Sequence, residues 1–274
     1  CPTTEALVGV ACMATQRPVY LEYDYQQFIT YTGKRSPFFT KVKYGANKDG
    51  KLLAMETDWF VDHGAYSEFG DLLAHKGAQF IGAGYDIANI RGTGKAVCTN
   101  HAWGAPFRGY GAPESEFASE SLMDELASEL GLDPFELRYR NVYRPGSTTP
   151  TGQTPEVFSL EPMMDILRPK YEEAKKKAGK ASTPDRKKGG GVSIGIYGAG
   201  GDGPDTAEAW VELQPDGVLL STVWGDHGQG ADSGALGTAH EALRPLGIRP
   251  DQIRLELSDT AKAYGFTPAE VRAL

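Results

Sequence analysis

Hydrophobic and polar positions change their period several times along the chain, and each change predicts an element. Residues 3–18, TTEALVGVACMATQRP, set small apolar residues at helical spacing behind a threonine cap and close on a proline, which predicts a helix. VYLEYDY (19–25) then alternates as a strand does. Within 38–66, two alternating runs flank Asn47-Lys48-Asp49-Gly50, a turn sequence that predicts a hairpin. Residues 87–100 predict a further strand pair, or one strand with a glycine bulge. Pro113 in a first turn, acids behind it and Gly131 as a stop predict a helix over 113–131. Another helix starts at Asp133-Pro134, and a third covers about 156–178.

Apolar periodicity is lost in KKKAGKASTPDRKKGGG (175–191), which predicts an exposed linker; a nucleic-acid patch is the sharper alternative. Beyond it, GVSIGIYG (191–198), TAEAWVELQPDG (206–217) and VLLSTVW (218–224) predict strands, the last two joined by a Pro-Asp-Gly turn. GDHGQGADSG (225–234) runs into the helix ALGTAHEAL, and IRLELSD (253–259) predicts a last strand. Strands and helices mix without strict βαβ alternation. The expected fold class is therefore α+β, mixed sheets and helices in two units, 1–178 and 191–274, with 179–190 as linker.

Composition narrows the function classes. A net charge of −8 argues against a duplex nucleic-acid binder, whose affinity comes largely from phosphate neutralisation. No apolar run is long enough to span a bilayer, so no membrane partner is expected. The three cysteines, Cys1, Cys12 and Cys98, show no C-x-x-C or zinc spacing and fit a reducing compartment, the cytoplasm. The chain opens at Cys1 inside a helical pattern, which suggests a piece of a longer protein.

Chemistry concentrates in two glycine-rich loops that run straight into helices, 104–113 and 225–234. Backbone N–H groups at such a junction, with the helix dipole, form an anion site. Neither is a Walker A loop, because no Gly-Lys-Ser/Thr follows. Arg108 offers a planar donor fork to an anion, or pairs at the surface with Glu114 or Glu116; the residues alone leave both open. Tyr110 either walls a pocket or packs beneath its loop. His63, His75, His101, His227 and His240 lack H-x-x-x-H spacing, so no metal held directly by protein ligands is expected. There is no Gly-x-Ser-x-Gly, and no paired histidine is assigned to Cys1, Cys12 or Cys98.

GAPFRGYGAPESEFASESLMDELASELGLDPFELRYRN (104–141) resembles the AFRG(F/Y)G loop and following helix of the molybdenum hydroxylases, the xanthine dehydrogenase and aldehyde oxidoreductase enzymes. TGKRSPF (32–38), DHGAYSEFGD (62–71), NIRGTG (89–94) and GDHGQGADSGALGTAHEAL (225–243) follow in that family's order. The resemblance spans roughly residues 1–260 and is nearer the aldehyde-oxidising branch of sulfate reducers than the purine-oxidising branch. It implies a molybdopterin-binding region of α+β fold and a molybdopterin cytosine dinucleotide whose sulfurs, not the protein, ligate the molybdenum. It also implies hydroxylation of aldehydes to carboxylic acids with water as oxygen source. By the same resemblance, Ala105, Phe107, Arg108 and Gly109 lie against the cofactor, and His227, Gly228, Gln229, Gly230 and Ala231 cradle its pterin or pyrophosphate. Tyr110, Phe69 and Leu72 line an apolar substrate pocket.

The family's glutamate base belongs to a Gly-x-Gly-Glu motif that this sequence lacks, so no catalytic residue is expected within it. The Gly-x-Phe-Gly loop is missing as well, and AKAYGFTPAEVRAL (261–274) departs from the family pattern. [2Fe-2S] clusters on another domain or subunit would take the electrons, and the full-length enzyme is expected to be a homodimer. Two alternatives stand beside this reading: a non-catalytic descendant that binds a cofactor or ligand, and a purine or N-heterocycle hydroxylase of the same family.

Overall fold

A computed structural model describes residues 2–66, 69–198, 209–222, 225–226 and 228–257. The chain divides into two compact units, Cys1–Gly198 and Ala199–Leu274. The tail reading at 261–274, most of GAGGDGPD (198–205) and His227 lie outside the described residues.

The first unit begins with α1 (Pro2–Thr15), where sequence periodicity predicts it. The strand expected at 19–25 is not formed. Residues 18–24 are irregular, and α2 (Tyr25–Tyr31) starts there instead. The reason is local: Asp24 accepts the Gln27 N–H at 2.7 Å while the Gln27 side chain accepts the Asp24 N–H, a reciprocal capping box that outcompetes the alternating pattern.

β1 (Phe38–Ala46) and β2 (Leu52–Asp62) form the predicted antiparallel hairpin. α3 (Gly70–Phe80), which the sequence reading missed, then crosses over to β3 (Asn89–Val97), which pairs parallel with β2. β3 is one strand in continuous register with β2, neither a strand pair nor bulged. Its glycines serve a close approach instead, because a Cβ at Gly94 would fall on the Trp59 indole. Trp59 in turn donates from Nε1 to the Ala74 carbonyl at 3.2 Å, tying the sheet to α3.

α4 (Ala112–Leu130) is the predicted long helix, with Pro113 in its first turn and Gly131 (φ 65°) donating back to Ala127 and Ser128. Asp133 caps α5 (Pro134–Asn141) through the Phe135 N–H at 2.8 Å. α6 (Leu160–Ala181) starts later and ends later than expected, so residues 175–181 of the anticipated linker are helical. Leu52, Met55, Met123, Phe135, Leu137 and Tyr171 from these elements share one buried core.

A polar network runs through that core. Arg138, 1% exposed, donates from Nε to Glu120 at 2.8 Å and from Nη1 to Asp124 at 2.7 Å, and the Tyr85 hydroxyl donates to Glu120. Residues 191–198 are not the strand their alternation predicts. They lie along α4, where the Ile194 N–H donates to Glu120 at 3.1 Å and the Ile196 N–H to Glu116 at 2.7 Å. Carboxylates four residues apart on a helix here take the bonds a neighbouring strand would have taken. Tyr197 stacks on Phe80 with ring centroids 5.2 Å apart.

The second unit holds β4 (Ala209–Gln214) and β5 (Gly217–Thr222), an antiparallel pair joined by the expected turn. α7 (Ala231–Leu243) then leads towards β6 (Ile253–Leu257), parallel to β5. Leu220, Ala239 and Ile253 form its core. Both units therefore repeat one connectivity: hairpin, helical crossover, third strand parallel to the second. The fold is α+β, as expected.

Candidate functional site

The loop from Trp103 to Gly111 is fastened from beneath by two other segments. Lys34 N–H donates to the Trp103 carbonyl at 3.1 Å, Ala105 N–H to Lys34 at 2.8 Å, and Gly104 N–H to His63 at 2.8 Å. Two glycines permit this approach: a Cβ at Gly33 would meet Ala105, and one at Gly104 would meet the Ser36 hydroxyl. The separate sequence landmarks 32–38, 62–71 and 104–111 thus converge on one floor.

Arg35 is the strut that the sequence reading did not single out. Its Nη1 donates to Glu114 at 2.6 Å, its Nη2 to the Arg108 carbonyl at 2.6 Å, and its guanidinium lies 4.5 Å from the centre of the Phe107 ring. Glu114 thus accepts from Arg35, and Glu116 accepts from the Ile196 N–H. The signal for Arg35 was present only as its position inside a quoted landmark; nothing in its own neighbours marks its partners, 73 and 79 residues away.

Above this floor the lip of the loop is open. Phe107 and Arg108 are exposed, and Ala105 is half-buried. Gly109, Tyr110 and Gly111 then take three successive positive φ angles, 88°, 35° and 92°, turning the chain into α4. Tyr110 holds this uncommon conformation through its hydroxyl, which donates to the Phe69 carbonyl at 2.6 Å. Phe69, itself at φ 56°, starts α3, and Leu72 follows on the side of that helix away from its buried residues Leu73, Ala74 and Gly77. Tyr110 and Phe69 are thus brought together, and Phe69 and Leu72 both present apolar surface to solvent.

The second loop carries a different arrangement. Gly228 and Gly230 take φ values of 87° and 83°, and Gly230 is the residue before α7. Asp226 Oδ1 accepts from the Gly228 N–H at 2.7 Å and the Gly230 N–H at 3.2 Å, while Oδ2 accepts from the Asp232 N–H at 3.2 Å. Amides that converge so on one carboxylate form an anion nest, with Asp226 as its anion. The Asp232 and Gly228 amides hold the Asp226 carboxyl below its ordinary range. Gln229 turns its side-chain amide to the Gly225 carbonyl at 3.3 Å, and Ala231 begins the helix. Among the described residues no cluster of histidine, cysteine and carboxylate side chains is placed to hold a metal ion.

Comparison with known proteins gives the family. Two family models match, each described as a molybdopterin cofactor-binding domain, over residues 1–142 and 166–269. An aldehyde oxidoreductase of Megalodesulfovibrio gigas is 66% identical over 269 residues, covering 98% of this chain and 30% of that protein. The crystal structure of the aldehyde oxidoreductase from Desulfovibrio desulfuricans superposes with a TM-score of 0.85 at 66% identity, covering 98% of this chain and 30% of that one. Quinoline 2-oxidoreductase from Pseudomonas putida gives a TM-score of 0.74 at 26% identity over 96% of this chain and 36% of its own. The chain thus spans about 30% of the length of its aldehyde oxidoreductase relatives. On this evidence the chain belongs to the molybdopterin cofactor-binding family of the xanthine dehydrogenase and aldehyde oxidoreductase enzymes.

Proposed function

We propose that this chain is the part of an aldehyde oxidoreductase that holds a molybdopterin cytosine dinucleotide and walls the aldehyde pocket. The observation that carries the reading is the loop 104–111, braced from below by Arg35 and open at Phe107 and Arg108. A braced backbone with an exposed lip loses little freedom when a large ligand settles on it. Ala105, Phe107, Arg108 and Gly109 supply that surface.

The loop that opens α7 faces the phosphate-bearing part of the cofactor in this reading, at a helix N-terminus whose dipole favours an anion; its Gly228, Gly230 and Asp232 amides hold Asp226, which a phosphate taking the same bonds must displace. His227, Gly228, Gln229, Gly230 and Ala231 are its residues in this reading. When bound, the cofactor supplies the redox centre at which the aldehyde is oxidised. Phe69, Leu72 and Tyr110 orient a neutral substrate by apolar contact, which suits an aldehyde, since it has no charge to be recognised. The two compact units, Cys1–Gly198 and Ala199–Leu274, each act as a cofactor-binding subdomain. Electrons leave to [2Fe-2S] clusters carried elsewhere, in a cytoplasmic homodimeric enzyme.

The test is substitution in the purified protein, with molybdenum content and aldehyde oxidation both measured. Arg108→Ala is expected to lower molybdenum content and activity together. Tyr110→Ala is expected to keep the metal and raise KM for the aldehyde. Unchanged metal content and kinetics in both variants would overturn the assignment.

A further inference from the structure

β2 and β3 run parallel with Asp62 opposite Val97, so the residues that follow them, His63 and Cys98, emerge side by side. Although 35 residues apart in sequence, their side chains meet: His63 Nε2 lies 3.7 Å from Cys98 Sγ. This is the cysteine–histidine pair that neighbouring sequence does not reveal. The two members differ in access, since His63 is 4% exposed while the Cys98 residue faces solvent.

The imidazole is held in place. Its N–H on the backbone donates to Val97 at 3.1 Å, its carbonyl accepts from Gly104, and Gly70 packs so closely on the ring that a Cβ there would overlap it. Nδ1 is buried and has no hydrogen-bond partner among the described residues. Among the described residues, Asp62 and His101 are further titratable groups beside the pair. Asp62 accepts from the Thr99 hydroxyl at 2.6 Å and lies 3.5 Å from His101, and the Thr99 bond foremost holds its carboxyl below the usual range.

The thiolate is the nucleophile in sulfur chemistry, and a fixed base within hydrogen-bond reach generates it. We propose that Cys98 is a thiol–disulfide exchange site, with His63 as its base, open to low-molecular-weight disulfides of the glutathione class. His63 Nε2 takes the Sγ proton, and Sγ attacks one sulfur of the disulfide. A new S–S bond forms, the original one breaks, and the departing thiolate takes the proton back from His63. Cys98 ends oxidised as a mixed disulfide and half of the small molecule ends reduced as a thiol, so no other oxidant is required.

Cys12, exposed on α1, is an internal reference in the same chain. Purified full-length protein is incubated with oxidised glutathione at neutral pH, and the two cysteine peptides are followed by mass spectrometry. Cys98 is expected to gain the glutathione mass about tenfold faster than Cys12, and to lose it on treatment with dithiothreitol. His63→Asn is expected to slow Cys98 to the rate of Cys12 and leave Cys12 unchanged. A wild-type Cys98 no faster than Cys12, or a Cys98 rate untouched by His63→Asn, overturns the proposal. Where the variant fails to fold, the wild-type comparison alone decides.

Discussion

Gly94 shows what one missing Cβ does in this sheet. Its absence lets the Trp59 indole lie flat against β3 and reach the Ala74 carbonyl. Gly94→Ala is expected to destabilise the first unit by about 1–3 kcal/mol, because backbone and a buried ring must both yield. Urea unfolding of the variant measures this, and a loss below ~0.5 kcal/mol would mean that the ring has room to move. The sequence shows Gly92 and Gly94 plainly but not their purpose, since Trp59 sits on the neighbouring strand. The pair Cys98 and His63 is hidden for the same reason. Arg35 is hidden more deeply: both partners that make it a strut lie beyond residue 100.

Elements were legible where their signals were local. Pro113 and Gly131 mark the ends of α4, and Asp133-Pro134 opens α5, because caps act within one turn. Alternation misled at 19–25 and 191–198, where side chains of a helix or a cap took the backbone bonds that a strand requires. That second substitution leaves a titratable mark. Burial lifts the Glu116 carboxyl to about 7, against the opposing pull of the Ile196 N–H.

A carboxyl raised in the folded state adds stability that is fully present below its unfolded value near 4.5 and lost as pH rises through about 7. Glu116→Gln keeps an acceptor for Ile196 but cannot ionise. It is expected to match the parent at pH 4.5 and exceed it at pH 8 by about 1–2 kcal/mol, allowing for water at a half-buried site. Thermal unfolding of both proteins across this range checks the sign. A variant less stable than the parent at pH 8 would mean that the charged carboxylate is the better acceptor.

At the scale of the molecule, charge decides one question that the lysine-rich stretch left open. Lys175 and Lys177 sit on α6 and pair with Asp133 at 2.5 Å and Glu173 at 2.6 Å. With a net charge of −8 around them, they offer little to a phosphate backbone. No retardation of duplex DNA is expected at physiological salt in a gel-shift assay; a complex that weakens steeply with added salt would restore the basic-patch reading. The α+β class was legible from mixed periodicity, but the repeated connectivity was not. α3 carries no cap that hydrogen-bonds from a side chain, so its half of the repeat left no mark in the sequence.

That repeat has a further consequence. Each unit carries Asp-His-Gly at or a few residues past the end of its second strand, at 62–64 and 226–228, and in each the aspartate accepts the N–H of the glycine two residues on. The same corner has been put to two uses. In one copy it grips a neighbouring loop and sets an imidazole beside a thiol; in the other it gathers amides around a negative charge. Support and chemistry are therefore written in separate stretches of chain, and a corner can change its task while the strands on either side keep their register.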